Sequence, residues 1–354
     1  MQPLVYVNSM HSRSRQLASD TYAGICPEAL AALQEANIGH TPAYGDDPWT
    51  AQATERLREL FETDCAVFFV ATGTAANALA LAALCQPYQS VFCHPDAHVQ
   101  TDECGAPEYA ARGIKLIPVA GANGKLAPAS LRRAAGQRRD VHSHKPGPLS
   151  LSQATEAGTV YRVEELRALC ATAHELGLRV HLDGARFANA VASLGVPPRV
   201  LSWEAGVDVL SFGGTKNGLA VGDALIFFDR DLARDFEYRR KQAGHLLAKM
   251  RFVAAPWAAV LQSGAWLENA SRANSLARRL ETELRAFKEL RFPYPVESNA
   301  VFVQMPEAWT GELHARGWFF YTIAGAQRLM CSWDTEPADI AAFIAALREV
   351  GAGH

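Results

Sequence analysis

Val207-Asp208-Val209-Leu210-Ser211-Phe212-Gly213-Gly214-Thr215-Lys216-Asn217-Gly218 is the stretch that decides the fold. An apolar run with β-branched residues reads as a buried strand. It ends in two glycines, a lone lysine and, two residues on, a third glycine. Glycines on both sides of a lysine let another group approach the backbone closely. A lysine at the mouth of a buried strand is open to deprotonation by desolvation, which makes it an amine nucleophile. Taken alone, such a lysine reads as a surface residue in a turn.

A second stretch changes that balance. Leu178-Arg179-Val180-His181-Leu182-Asp183-Gly184-Ala185-Arg186 again runs from an apolar strand into small residues, with an acid at the strand end. Asp183 and Lys216 lie 33 residues apart (216 − 183), room for one helix and the next strand. An acid at one strand tip and a lysine at another fit an enzyme built on pyridoxal phosphate. The lysine attaches the cofactor as a Schiff base, and the acid keeps the pyridine nitrogen protonated so that the ring accepts electrons. The strand Ala66–Val70, the turn with Gly73 and Thr74, and the Ala/Leu-rich helix running to about Cys85 form an anion site suited to the cofactor phosphate. Free N–H groups and the helix dipole both favour a negative charge there. His98 follows the strand Ser90–Cys93 and is either an ordinary loop histidine or a ring stacked on the cofactor. Tyr44, in the turn-rich loop from Gly39 to Pro48, is either a surface ring or an active-site group. Arg328 lies in an apolar strand and needs a partner, either a substrate carboxylate or a structural salt bridge.

Strands and helices alternate to about Asp229, the pattern of a mainly parallel sheet covered by helices. The expected organisation is an N-terminal arm (1–18), a large cofactor-binding α/β domain (19–260) and a small C-terminal α+β domain (261–354). Asp231–Lys249 reads as a basic helix. Strands are expected near Ala300–Gln304, Gly317–Thr322 and Arg328–Trp333, with a last helix over Pro337–Val350. The chain has 354 residues, 49% hydrophobic and 20% charged, with a net charge of −3. That balance gives no field favouring nucleic acid or an anionic membrane, and no apolar run is long enough to span a bilayer. Met1 to Ser19 lacks the apolar core of a signal peptide, so a cytoplasmic setting is expected. The seven cysteines include no Cys-x-x-Cys and read as reduced thiols. Cys93, His94, Asp96, His98 and Cys104 match no common zinc spacing, so no metal is expected. Nor is there a Gly-x-Gly-x-x-Gly for a dinucleotide.

Together these residues resemble the low-specificity L-threonine aldolases, pyridoxal phosphate enzymes of the aspartate aminotransferase fold (fold type I). The likeness covers nearly all of the chain after residue 18. It rests on Ala18-Ser19-Asp20, Tyr44-Gly45-Asp46-Asp47-Pro48, Gly73-Thr74, Asp96-Ala97-His98, His181-Leu182-Asp183-Gly184-Ala185-Arg186 and Lys216. The wording around Lys216 is that of a bacterial branch which also holds phenylserine aldolases. The resemblance implies that Lys216 tethers the cofactor and Asp183 pairs with its ring nitrogen. It implies that His98 stacks on the ring near the substrate hydroxyl, and that Gly73 and Thr74 hold the phosphate. Ser19, Arg186 and Arg328 are implied for the substrate carboxylate. Tyr44 and a basic residue of the region from Lys241 to Arg251 are implied to reach a neighbouring subunit's site, in a homotetramer with active sites at the dimer interface. Many relatives carry a second active-site histidine where Thr155 is placed here, which leaves His98, or water held by it, as the leading base. The expected reaction is cleavage of an L-β-hydroxy-α-amino acid to glycine and an aldehyde. The rivals are β-elimination, transamination or hydroxymethyl transfer on the same scaffold, and a cofactor-binding protein without turnover.

Overall fold

The computed structural model describes residues 15–137 and 140–353. Its main sheet has seven strands: β1 (Ala66–Val70), β2 (Gln89–Cys93), β3 (Lys115–Pro118), β4 (Lys145–Ser152), β5 (Val180–Gly184), β6 (Val209–Phe212) and β7 (Asp223–Phe227). They lie in the order β1-β7-β6-β5-β4-β2-β3. Six run in one direction, and β7 is antiparallel to both of its neighbours. Every residue of β5, β6 and β7 is buried, as strands covered on both faces must be. A second, antiparallel sheet is made of β8 (Ala300–Val303), β9 (Tyr321–Ile323) and β10 (Ala326–Met330), in the order β8-β10-β9. The α/β, fold type I class expected from the sequence is the class observed.

In the second sheet the strands expected near Gly317–Thr322 and Arg328–Trp333 are shifted to Tyr321–Ile323 and Ala326–Met330, and expected and observed elements part in three further places. The alternation of strand and helix stops at β6, because only a single 3₁₀ turn, Thr215–Asn217, separates it from the reversed β7. The basic stretch after Asp231 is helical only over Phe236–Gln242. Gly244 then takes a φ of 79°, in the left-handed region, and the chain continues in turns to Met250. Of the expected N-terminal arm, residues 1–14 lie outside the described residues. Gln16 bridges to Phe319, and Leu17 is buried in the core beneath the second sheet.

The connection to the site runs through Phe212. Its ring is fully buried, with centroids 5.0 Å from Trp257, 5.3 Å from Phe187 and 5.9 Å from Trp266. Truncating a ring so packed costs about 3–5 kcal/mol. Phe212 thus anchors the end of β6, from which the Lys216 turn departs. At Gly213 a Cβ would lie 2.6 Å from the Ala185 carbonyl oxygen, so only glycine lets the turns after β5 and β6 come this close.

Candidate active site

All the chemistry lies along one edge of the main sheet, where the parallel strands end. Open α/β sheets place their ligands at this edge. From β1 the chain passes into the helix Gly73–Leu84, where Thr72 Oγ1 accepts the Ala75 N–H at 3.2 Å. Among the described residues none accepts from the N–H groups of Gly73 and Thr74, and both residues face the cleft. The turns after β2, β4 and β6 bring His98, Glu156 and Lys216, and the end of β5 brings Asp183. Because β7 runs the other way, its first residue, Asp223, reaches the same edge. These groups line one cleft.

Within it, Asp183 accepts from Asn77 Nδ2 at 2.9 Å and from the Ala185 N–H at 3.0 Å. Asn77 Nδ2 also donates to Glu103 Oε1 at 2.8 Å. His98 Nδ1 lies 2.8 Å from the same oxygen. The hydrogen bond to Glu103 holds the His98 pKa above its ordinary 6.5. Burial pushes the Glu103 carboxyl up in turn. His98, Glu103 and Asp183 offer three ligand-type atoms within 4.8 Å of one another. Donors from Asn77 and His98 already occupy that cluster, so the chemistry is that of a hydrogen-bond chain. Asp223 Oδ1 accepts from the Gly214 N–H at 2.6 Å and so ties down the turn that presents Lys216. Burial raises the Asp223 pKa.

Beside the cleft, the segment Ala18–Asp20 joins the two arginines. Arg186 donates from Nε and Nη2 to the two oxygens of Asp20, at 2.7 and 3.0 Å. Burial is the largest single influence on the Asp20 pKa and raises it, but the charge and hydrogen bonds of Arg186, with Lys216 and Asn299, together outweigh it and the carboxyl sits below its usual range. Arg328 Nη2 donates to the Ala18 carbonyl at 3.1 Å, and its Nε is buried without a partner. Among the described residues Arg328 has no ion pair, so the structural salt bridge weighed for it is not found. Burial, and then Arg186, lower its pKa. Ser19 Oγ lies 2.7 Å from Thr21 Oγ1 and caps the short 3₁₀ turn Asp20–Tyr22.

Five of the residues singled out from sequence therefore share the cleft: Gly73, Thr74, His98, Asp183 and Lys216. Ser19, Arg186 and Arg328 sit on its flank. Tyr44 does not line it. That ring is half exposed, with Lys241 Nζ 4.5 Å from its centroid. Thr155 is also turned away, its hydroxyl 2.7 Å from that of Thr159, and the next residue, Glu156, opens on the cleft instead. Asn77, Glu103, Glu156 and Asp223 were missed. Asn77 had a readable signal: it is the one amide in an Ala/Leu-rich helix, four residues after Gly73 and hence on the same face. Nothing local in the sequence marks the other three.

A family model described as beta-eliminating lyase matches residues 16–308. A low-specificity L-threonine aldolase of Pseudomonas aeruginosa is 58% identical over 92% of this chain and 95% of its own length. The chain belongs to the low-specificity L-threonine aldolases. A second aldolase of that name, from a Pseudomonas species, is 54% identical over 96% of this chain and 99% of its own. A solved structure of a Leishmania major threonine aldolase superposes with a TM-score of 0.89 at 29% identity, covering 95% of this chain and 99% of that one. In this aldolase the cleft residues fit pyridoxal phosphate. Two unbonded N–H groups at a helix start suit its phosphate, Asp183 suits a protonated ring nitrogen, and Lys216 suits an aldehyde. The unpartnered buried Nε of Arg328 suits an anionic substrate beside it.

Proposed function

We propose that this chain cleaves L-threonine, L-allo-threonine and related L-β-hydroxy-α-amino acids, L-phenylserine among them, to glycine and an aldehyde. The observation that carries it is the convergence of Lys216, Asp183, His98 and free helix-start N–H groups in one cleft of a chain belonging to this family. When bound, pyridoxal phosphate supplies an electron-accepting ring conjugated to the substrate amine.

The residues divide the remaining work. Gly73 and Thr74 would hold the phosphate, Asp183 would keep the ring nitrogen protonated, and His98 would lie against the ring. Lys216 is the tether, and as a free amine it serves to move a proton at Cα. Arg328, with Arg186 and Ser19 behind it, fixes the substrate carboxylate and so sets which Cα bond stands perpendicular to the ring. Positioning of this kind supplies much of the rate. The Asp20 ion pair occupies the Nε–Nη2 edge of Arg186 and leaves Arg328 the freer guanidinium, which supports giving it the direct contact.

We infer a homotetramer in which the exposed Tyr44 loop completes a neighbour's site; its distance from its own chain's cleft supports this. A cytoplasmic setting is supported by six buried free cysteines. No helix of the described residues is long and apolar enough to cross a membrane.

A product panel tests the activity. The protein loaded with pyridoxal phosphate is incubated with L-threonine, L-allo-threonine, L-phenylserine and their D-isomers. Aldehyde with equimolar glycine from the L-isomers is expected. Pyruvate and ammonia would mean elimination, a keto acid would mean transamination, and either would overturn the proposal, as would a yellow protein that yields no product.

A further inference from the structure

The sequence left His98 as the leading acceptor for the β-hydroxyl proton, and the structure sets a second candidate beside it in the cleft. Its Nδ1 is bonded to Glu103, whose side chain is fully buried. That bond fixes the ring and leaves Nε2 as its remaining nitrogen. The other acids of the cleft are also engaged. Asp183 accepts two hydrogen bonds, and Asp223 accepts from the backbone of the Lys216 turn.

Glu156 is different. It lines the cleft with Lys216, Asp183 and His98, yet its carboxylate has no hydrogen bond or ion pair among the described residues. Its position is nonetheless fixed. Ser152 is in register with Asp183, so the loop after β4 leaves the sheet beside the Asp183 tip. The loop is closed by the Thr155 N–H to the Thr159 carbonyl at 2.9 Å and by the Gly158 N–H to the Thr155 carbonyl at 2.9 Å. Gln153 braces it further, bonding the Tyr161 carbonyl and N–H, both at 2.9 Å. A rigid turn thus holds an uncommitted carboxylate over the cleft.

We propose that Glu156, rather than His98, takes the β-hydroxyl proton during cleavage. This rests on the aldolase reading above. The hydroxyl O–H bond breaks and its proton passes to a Glu156 oxygen. The freed O–H pair becomes the second C–O bond of the aldehyde. The Cα–Cβ pair remains with the glycine carbon, which takes up a proton, so the step needs no oxidant or reductant. Facing Glu156 are Arg186 and Asp183 from β5 and the residues after it, Lys216 from the turn after β6, and His98 from the turn after β2. Burial raises its pKa, towards the range where a base is most effective. The arginine and lysine keep its charged form accessible.

The test compares wild-type protein with Glu156→Gln, both loaded with pyridoxal phosphate and matched for bound cofactor by absorbance. Two reactions are followed: cleavage of L-threonine, and exchange of the glycine Cα proton for deuterium by NMR. Exchange needs the cofactor, Lys216 and the carboxylate contacts but no β-hydroxyl. The expected result is a loss of about 100-fold or more in kcat for cleavage, with KM and the exchange rate within about threefold of wild type. The acid limb of the kcat–pH profile should also vanish. Equal losses in both reactions would mean that Glu156 only supports the site, and unchanged cleavage would remove any role; either overturns the proposal. Wild-type protein that exchanges glycine but releases no aldehyde would instead overturn the aldolase reading itself.

Discussion

Gly213→Ala puts the strand-end geometry under direct strain. The added methyl would lie 2.6 Å from the Ala185 carbonyl oxygen and 2.7 Å from the Ala185 Cα. Ordinary contact begins near 3.4 Å, so 3.4 − 2.6 leaves about 0.8 Å to be made up. The obstacle is backbone in the turn after β5, which cannot rotate aside as a flexible side chain would. Nor can the strain be relieved inside the core, since Phe212 is locked among rings on one side of the glycine. The turn that follows Asp183 and the turn that bears Lys216 must therefore separate by most of that distance. Overpacking of this kind costs about 1–3 kcal/mol, and a misplacement near 1 Å costs on the order of 100-fold in rate. The expected phenotype is a folded protein with a lowered Tm, weakened cofactor retention and kcat down by one to two orders of magnitude. Thermal unfolding, equilibrium dialysis of the cofactor and steady-state cleavage measure the three. Wild-type kcat and Tm together would refute the claim that the approach of these turns sets the site.

Other outcomes follow from the same geometry. His181 is buried between Ser150 and Ser211, each 3.0 Å from a ring nitrogen, and burial pulls its pKa down to about 4. Between that value and 6.5 the unfolded chain binds a proton that the fold does not, so stability falls as pH falls through the window, by up to about 3 kcal/mol. Urea unfolding at fixed protein concentration from pH 7 to pH 4 should show this slope, and a His181→Asn variant with an identical slope would contradict it. Glu103→Gln removes the acid that raises the His98 pKa, so the His98 titration followed by NMR should move to lower pH; an unmoved midpoint would sink the hydrogen-bond assignment. Arg328→Lys keeps the charge but loses the planar fork, so glycine should bind about 10- to 100-fold more weakly. Unchanged glycine affinity would assign the carboxylate to another group.

Much of this was legible because the chemistry sits at strand ends, and strand ends are punctuated in sequence. Val209–Phe212 before two glycines, and Val180–Leu182 before Asp183, announce both the strand and the group it delivers. The turn at Gly73 and Thr74 was readable for the same reason. What escaped was assembled by tertiary contact. Glu103 lies only five residues from His98, yet it joins the site through Asn77, which bonds Asp183 across 106 residues. Asp223 reaches the site only because β7 is reversed, where alternation suggested another parallel unit. Thr155 and Glu156 are neighbours in the chain, and loop geometry alone decides which one faces the cleft. The basic run after Asp231 had helical composition, yet Gly244 breaks it. Arg186 was expected on the substrate carboxylate, and Asp20 was recognised only as part of a motif. Their pairing crosses 166 residues, beyond any local pattern.

The most direct test of the account is the yield of glycine and acetaldehyde from L-threonine by wild-type protein and by Lys216→Ala. Both are supplied with pyridoxal phosphate and checked for fold and cofactor content. Equimolar products from wild type, and a loss of turnover in the variant, are the predicted result. A folded, cofactor-bearing Lys216→Ala protein that keeps full aldolase turnover would contradict the role of the lysine on which the site is built.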